Sequence, residues 1–337
     1  MCKDNKLINY AFQIVGPLVL SGLILWWMYS GFDWQAFSGA LTERTDWTWM
    51  LLSMPFGVTA QMFRALRWKL ALEPLQEKPR TSVCINSIYL SYAASLVVPR
   101  IGEVLRCGVL KRFDGTSFSK SLGTVVTERV VDSVFVVLLA VFTVLFQLPV
   151  FMTFFHETGM SVWGMLQGFS PTGYVVTALC CLAVLVFFVW LVRRLLQFQK
   201  TRHLFLNLRD GLLSLRHVPS APLYILYTVG IWGSYYLHFY LTFFCFDSTA
   251  LLGMSPALVA FVVGCFAVLV PTPNGAGPWH FAVKTVLMLY GVQASEGAVF
   301  VLIVHTLQTL LVLLLGLYAL VAFQFTRRIT TVSQQTL

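Results

Sequence analysis

The chain has 337 residues, of which 58% are hydrophobic and only 11% charged, with a mean hydropathy of +0.77. Soluble domains carry about 25% charged residues, so the composition excludes an ordinary soluble fold and indicates an all-α polytopic membrane protein. Lys and Arg outnumber Asp and Glu by 23 to 14, yet the cations flank apolar runs, which argues for topology signals and against nucleic-acid binding.

A helix needs about 20 apolar residues to cross a hydrocarbon core. The first such run, 9–29, follows Lys3 and Lys6 and could be taken for a signal peptide. It is too long for a signal core and no small-x-small cleavage site follows "WWMYSGFDW", so it reads as a retained span. Further spans are expected at 47–63, 121–148, 173–192, 221–246 and 297–323, about six in all, none with the alternation of a membrane barrel. The cysteines form no CxxC pair, and Cys180, Cys181 and Cys265 fall in apolar runs, where they read as small buried hydrophobes rather than disulfides or metal ligands. No metal or cofactor is expected, and no P-loop, HExxH, GxSxG or dinucleotide fingerprint is present.

Charge placement orients the spans. Arg64, Arg67, Lys69, Lys78 and Arg80 follow the second run; Arg193, Arg194, Lys200, Arg202, Arg209 and Arg216 follow the run ending at 192; Arg327 and Arg328 come near the end. By the positive-inside rule these stretches and the N-terminus are cytoplasmic, in a cell (cytoplasmic or inner) membrane. The loops 31–46, 149–172, 247–254 and 292–296 hold one basic residue, Arg44, and face outward. The basic segment 193–217 reads as a cytoplasmic loop helix or an amphipathic surface helix. In "FRALRW", residues 63–68, the two arginines and Trp68 read as an interfacial anchor facing anionic lipid.

Parity of crossings then forces a break. If 81–98 crossed fully, the basic 193–217 segment would lie outside; instead the chain is expected to enter from the cytoplasm, break at "VPR" and return as 100–112, a re-entrant hairpin over 83–112. A second, entering from outside over 255–291, breaks at "PTPNGAGP" and continues in an arm too short to span. Two broken helices of opposite topology suggest an inverted repeat, and paired interruptions of this kind point to a midplane site. The whole chain, 1–337, reads as one transmembrane domain.

Irregular backbone at membrane depth must face protein or a wet cavity. Around the two breaks lie Arg100, Glu103, Arg106, Glu128, Arg129, Asp132, Asn274, Gly275, Gly277, His280 and Lys284, the candidate substrate-binding set. Buried charges are costly. Glu128 and Asp132 share a helix face, Arg129 can pair with Asp132, and Arg100, Glu103 and Arg106 form a stripe. Four cations against three anions in this set leave one positive charge for an anionic headgroup. Pro278 suits the first turn of the last arm, and the "NGAG" before it lets backbone approach a ligand at a helix N-terminus, where an anion is favoured. The same pairs could instead lock helices together, and Arg106 could snorkel to the cytoplasmic face. His238 and His305 read as satisfied core residues.

Three stretches, "PRIGEVLRCGVL" at 99–110, "TVVTERVVDSV" at 124–134 and "PTPNGAG" at 271–277, with "FRALRW", resemble the lysylphosphatidylglycerol synthase transmembrane-region family, a flippase-like domain often counted as eight segments. The resemblance runs over roughly 10–325 and matches at Arg100, Glu103, Arg106, Glu128, Arg129 and Asp132. It implies movement of aminoacylated phospholipids, other phospholipids or polyprenyl-phosphate lipids between leaflets. Many members have an acidic residue after the glycine-rich loop where this chain has Trp279 and His280, a departure that bears on the headgroup. No soluble aminoacyltransferase domain is present in these residues, so lipid synthesis is not expected.

The favoured reading is therefore a lipid translocase, energy-independent or ion-coupled, and not an enzyme. A rival is an intramembrane transferase or phosphatase with His280 as its base; a scaffold subunit leaves the broken helices without purpose. Expected partners are a membrane lipid substrate and a separate lipid-modifying enzyme, with room for a homo-oligomer.

Overall fold

The computed structural model describes residues 19, 22–26, 45–147, 218–270 and 272–327. Among them the chain is helical and forms no strand, only an isolated antiparallel bridge between Thr45 and Phe246. Eight helices carry the architecture: α1 Trp47–Leu72, α2 Thr81–Val97, α3 Ile101–Asp114, α4 Phe118–Phe146, α5 Ala221–Tyr240, α6 Met254–Ala267, α7 Pro278–Leu289 and α8 Ala294–Phe325. Two of them, α4 and α8, are long and apolar enough to cross a membrane. They coincide with the runs at 121–148 and 297–323. α1 and α5 occupy the runs at 47–63 and 221–246, but α1 carries Arg64, Arg67 and Lys69 near its end and α5 is diluted by tyrosines. The runs at 9–29 and 173–192 and the basic 193–217 segment lie outside the described residues, apart from helical positions 19 and 22–26.

The sequence places each break. α2 stops at Val97, before "VPR", because the residue preceding a proline is pushed out of the helical region. Val98 is extended and Arg100 takes a left-handed φ of 63°, which redirects the chain into α3. α2 and α3 then pack side by side: a Cβ built on Gly102 would run into the Ser91 carbonyl, so only glycine permits this approach. The far ends meet as well. Asp114 accepts from the Arg80 backbone N–H at 2.8 Å and from Arg80 Nε at 2.7 Å, closing the hairpin. Asp114→Ala leaves that N–H without its carboxylate and is expected to cost about 1–2 kcal/mol, read as a lower unfolding midpoint in detergent.

The second break runs from Ala267 to Pro278 and contains the 3-10 turn Pro273–Gly275. Asn274, Gly275 and Gly277 all have positive φ, at 51°, 71° and 92°. Pro278 opens α7, as its fixed φ and missing N–H favour. α6 and α7 pack together so closely that a Cβ on Gly264 would come within 2.8 Å of Trp279 Nε1.

α8 is the rail on which both hairpins lie, and they approach from opposite ends. Near its start, Phe300, Val301 and Val304 join the core that includes Val283, Val286 and Leu287 of α7. The second break reaches His305 and Thr309, where Asn274 Nδ2 donates to Thr309 Oγ1 at 2.7 Å. Farther along, Gly316 lies against Ala93 of α2, Phe113 stacks on Phe323 at 4.7 Å, and Arg80 Nη2 donates to the Arg327 carbonyl at 2.8 Å. Gly316 lies seven positions after Thr309, a rise of roughly 10 Å, and α2 touches the Pro273–Gly275 turn directly. The two breaks therefore meet near the middle of α8.

One end of the molecule is basic. Lys69 donates to Thr81 Oγ1, Lys120 pairs with Glu77, and Arg80 reaches Arg327, so the α1–α2 connection, the α3–α4 connection and the end of α8 gather there. At the other end, Asp46 donates its N–H to the Cys245 carbonyl beside the single helical turn Asp247–Ala250.

Candidate functional site: a buried arginine and carboxylate network

α1 turns Arg64, Arg67 and Trp68 toward one side, as residues three and four apart share a helix face. α4 presents Glu128 and Asp132 to them by the same spacing. Arg64 Nη1 lies 2.6 Å from Glu128 Oε1 and 2.6 Å from Asp132 Oδ2, and Arg67 Nη2 lies 2.6 Å from Asp132 Oδ1 and 3.4 Å from Glu128 Oε1. From α3, Arg106 brings Nη2 to 3.0 Å from Glu128 Oε2. Arg129 stands at the rim, 3.0 Å from Glu128, 3.1 Å from Asp132 and 3.4 Å from Glu103. The four arginines thus enclose two carboxylates, and the third, Glu103, lies at the half-exposed edge.

The core of this network is dry. Arg67 is 0% exposed, Arg106 and Glu128 2%, and Arg64 3%. Aromatic faces pack the guanidiniums: Arg106 over Trp68 at 4.6 Å, Arg67 over Tyr224 at 5.6 Å, and Arg64 between Tyr92 and Tyr235 at 6.0 Å each. Trp68 is held by its Nε1–H to Thr124 Oγ1 at 2.9 Å, and Arg67 also donates to Thr228 Oγ1 at 3.1 Å. Cation–π contacts strengthen when desolvated, so the rings orient the arginines without neutralising them.

Four guanidiniums against three carboxylates leave one positive charge in excess. The donors are not all used. The buried Nε groups of Arg64, Arg67, Arg106 and Arg129 have no aligned hydrogen-bond acceptor among the described residues, nor does Arg106 Nη2 despite its proximity to Glu128 Oε2. Buried donors left unmade are costly. These donors are closed off from the surface, so an anion could meet them only where the Glu103–Arg129 rim opens.

Several residues stand differently from the sequence expectation. Arg64, Arg67 and Trp68 are not an interfacial anchor: all three are buried in the bundle, because Glu128 and Asp132 compensate their charge. Glu103 pairs with Arg129 rather than with Arg100 or Arg106, and Arg106 is buried against Glu128 rather than extended toward the cytoplasmic face. Arg100 lies exposed on the first break, with no ion pair among the described residues. Lys284 is half-buried in α7, against Gly297 of α8 and away from the network.

At the second break the backbone N–H groups of Gly275, Ala276 and Gly277 are spent within the turn. Gly275 donates to the Thr272 carbonyl, Ala276 to the Pro273 carbonyl, and Gly277 to His280 Nδ1 at 3.3 Å. His305 Nε2 lies 3.1 Å from the Asn274 carbonyl, to which it must donate, and its ring centroid is 4.4 Å from that of His280. His238 Nδ1 similarly meets the Ser53 carbonyl at 2.8 Å. His280 and His305 hold the irregular backbone of the second break in place, whereas His238 meets a carbonyl inside α1.

Fold and network together define a membrane protein, helical in its described residues, with an ionic centre enclosed by helices from distant parts of the chain. The family described as "Lysylphosphatidylglycerol synthase TM region" matches residues 14–316, nearly the whole length. The chain belongs to that family, which sets it in a membrane, lipid-related context. No match to it is found among curated proteins or solved structures.

Proposed function

We propose that the protein is a lipid translocase, moving a lipid with an anionic or zwitterionic phosphate headgroup between leaflets without converting it chemically. The observation that carries this reading is the net-positive network beside two broken helices whose tips meet at the middle of α8. We read 83–112 and 255–291 as re-entrant hairpins of opposite topology. The basic end, with Arg80 and Arg327, then lies at the cytoplasmic face of the cell membrane by the positive-inside rule. The breaks fall near the bilayer midplane, where broken helices in transporters border the substrate site.

In this mechanism Arg100, exposed on the first break, meets the phosphate, and the network offers it the buried, unused guanidinium edges once the Glu103–Arg129 rim opens. Glu103 and Arg129 form the rim that the headgroup displaces or passes. Glu128 and Asp132 hold the arginines when no lipid is bound, at a cost far below that of unpaired cations. The tails remain in the bilayer, beside the exposed apolar positions Val134, Leu138, Val141 and Phe142 of α4. A relaxed rim, rather than a changed frame, is what alternates.

The test is reconstitution into vesicles with a fluorescent headgroup-labelled phospholipid and a membrane-impermeant quencher. Translocation should exceed that of protein-free vesicles. Arg100→Ala should lower the rate roughly 10–100-fold, the equivalent of one charge-assisted hydrogen bond, with an unchanged melting curve. Appearance of a new lipid species by mass spectrometry, lost in His280→Ala, would overturn the reading in favour of an enzyme.

A further inference from the structure

The second break carries a pair of imidazoles that the translocation mechanism leaves without a task. His280 of α7 and His305 of α8 stand with ring centroids 4.4 Å apart. Their hydrogen bonds fix both tautomers. Gly277 donates its N–H to His280 Nδ1 at 3.3 Å, so the hydrogen of that ring is on Nε2. His305 Nε2 lies 3.1 Å from the Asn274 carbonyl and must carry a hydrogen, which puts the ring's lone pair on Nδ1. With the His280 lone pair spent on Gly277, the two rings cannot chelate a metal ion. A proton can bind: on His305 Nδ1 it keeps both backbone bonds, whereas on His280 Nδ1 it would face the Gly277 N–H. The Trp279 ring, 5.2 Å from that of His305, stands within cation–π reach of the imidazolium.

No carboxylate pairs with His305 among the described residues. α7 presents His280 and, one turn on, Lys284 against Gly297; α2 presents Tyr89 to Tyr318, farther along α8; and His238 of α5 reaches Gly57 of α1, beside Leu311. Glu296, on α8 itself, is nine positions earlier, about 13 Å along the axis. The protonated ring therefore has no counter-ion of its own in a half-buried setting, where an unpaired charge is costly. An arriving anion supplies one. Thr309, one turn past His305, marks where the two breaks meet, and Arg100 is on the first of them. We propose that His305 is a proton-binding site coupled to the lipid. The headgroup phosphate and a proton on Nδ1 load together, each raising the other's affinity by the same factor, so a singly charged anionic lipid crosses with one proton and no net charge. This rests on the translocase reading for the arrival of the phosphate at the breaks.

The probe is a trace of acyl-labelled phosphatidylglycerol, a singly charged phosphodiester, with full-length protein in vesicles and a membrane-impermeant quencher. A gradient of about one pH unit should shift the label's leaflet ratio about tenfold toward the alkaline side, and a potassium diffusion potential of equal energy should not move it. Between about pH 8 and about pH 5, where an imidazole changes charge, the wild-type rate should rise about tenfold. His305→Gln, whose amide N–H can still donate to Asn274, should lose both responses with an unchanged melting curve. His280→Asn, whose amide oxygen can still accept from Gly277, should keep them. A leaflet ratio set by the potential, or a pH response that survives in His305→Gln, overturns the coupling. Proton uptake by detergent-solubilised protein on addition of short-chain phosphatidylglycerol, read with an indicator dye in weak buffer, separates the two proposals. Uptake lost in His305→Gln, with no movement above protein-free vesicles, upholds the proton site and sinks the translocase; lipid binding without uptake sinks the proton site whatever the transport result.

Discussion

Asp132→Asn is expected to lower the unfolding free energy by about 3–5 kcal/mol, the range for removing one partner of a buried ion pair. Asp132 is bound on both oxygens, by Arg64 at Oδ2 and by Arg67 at Oδ1, each at 2.6 Å, and neither guanidinium can reach water. The amide keeps the shape but removes the charge, leaving one more uncompensated cation in the interior. Thermal or denaturant unfolding in detergent micelles measures the loss. Replacing one pair at once, with Arg67→Met and Asp132→Leu together, should recover part of it, because the desolvation cost of that pair disappears with the pair while Arg64 keeps Glu128. If Asp132→Asn unfolds like the wild type, the carboxylate is not the buried counter-ion that the geometry makes it.

Gly102→Ala is the second large effect. The added methyl would run into the Ser91 backbone carbonyl, which cannot rotate aside as a flexible side chain can. Overpacking of this kind costs about 1–3 kcal/mol, and relief requires α3 to move away from α2. That motion pulls Arg106 from Glu128 and Glu103 from Arg129, so on the translocase reading transport should fall with stability. Gly108, on the same helix, has open space at its Cβ position. Gly108→Ala should leave both stability and transport near the wild-type level, and a loss there equal to that of Gly102→Ala would remove the packing explanation.

The histidines show how far local pattern reaches. His238 and His305, read as satisfied core residues from their apolar surroundings, do meet backbone carbonyls, at Ser53 and Asn274. Their partners lie 185 and 31 positions away, so nothing near them in the chain named the acceptor. Arg64 and Arg67 carry the same lesson more sharply. An arginine pair followed by Trp68 near a helix end has the local look of an interfacial anchor, and only packing against α4, with Glu128 and Asp132 more than sixty positions on, makes it the centre of the network.

What the amino-acid sequence by itself determined was the helical membrane class, the position of both breaks and, of the network, its carboxylates with Arg106 and Arg129. Helix length and apolar content follow from composition, and backbone reversal at "VPR" and "PNGAGP" follows from residues within a few positions of one another. Helix spacing already gave the Arg129–Asp132 pair, but the tertiary structure alone decided that Arg64, Arg67 and Arg106 answer Glu128 and Asp132, and that the two breaks meet at mid-α8. Pairing of charges depends on which helix faces are brought together, a long-range outcome of burying apolar surface that no spacing along a single segment encodes.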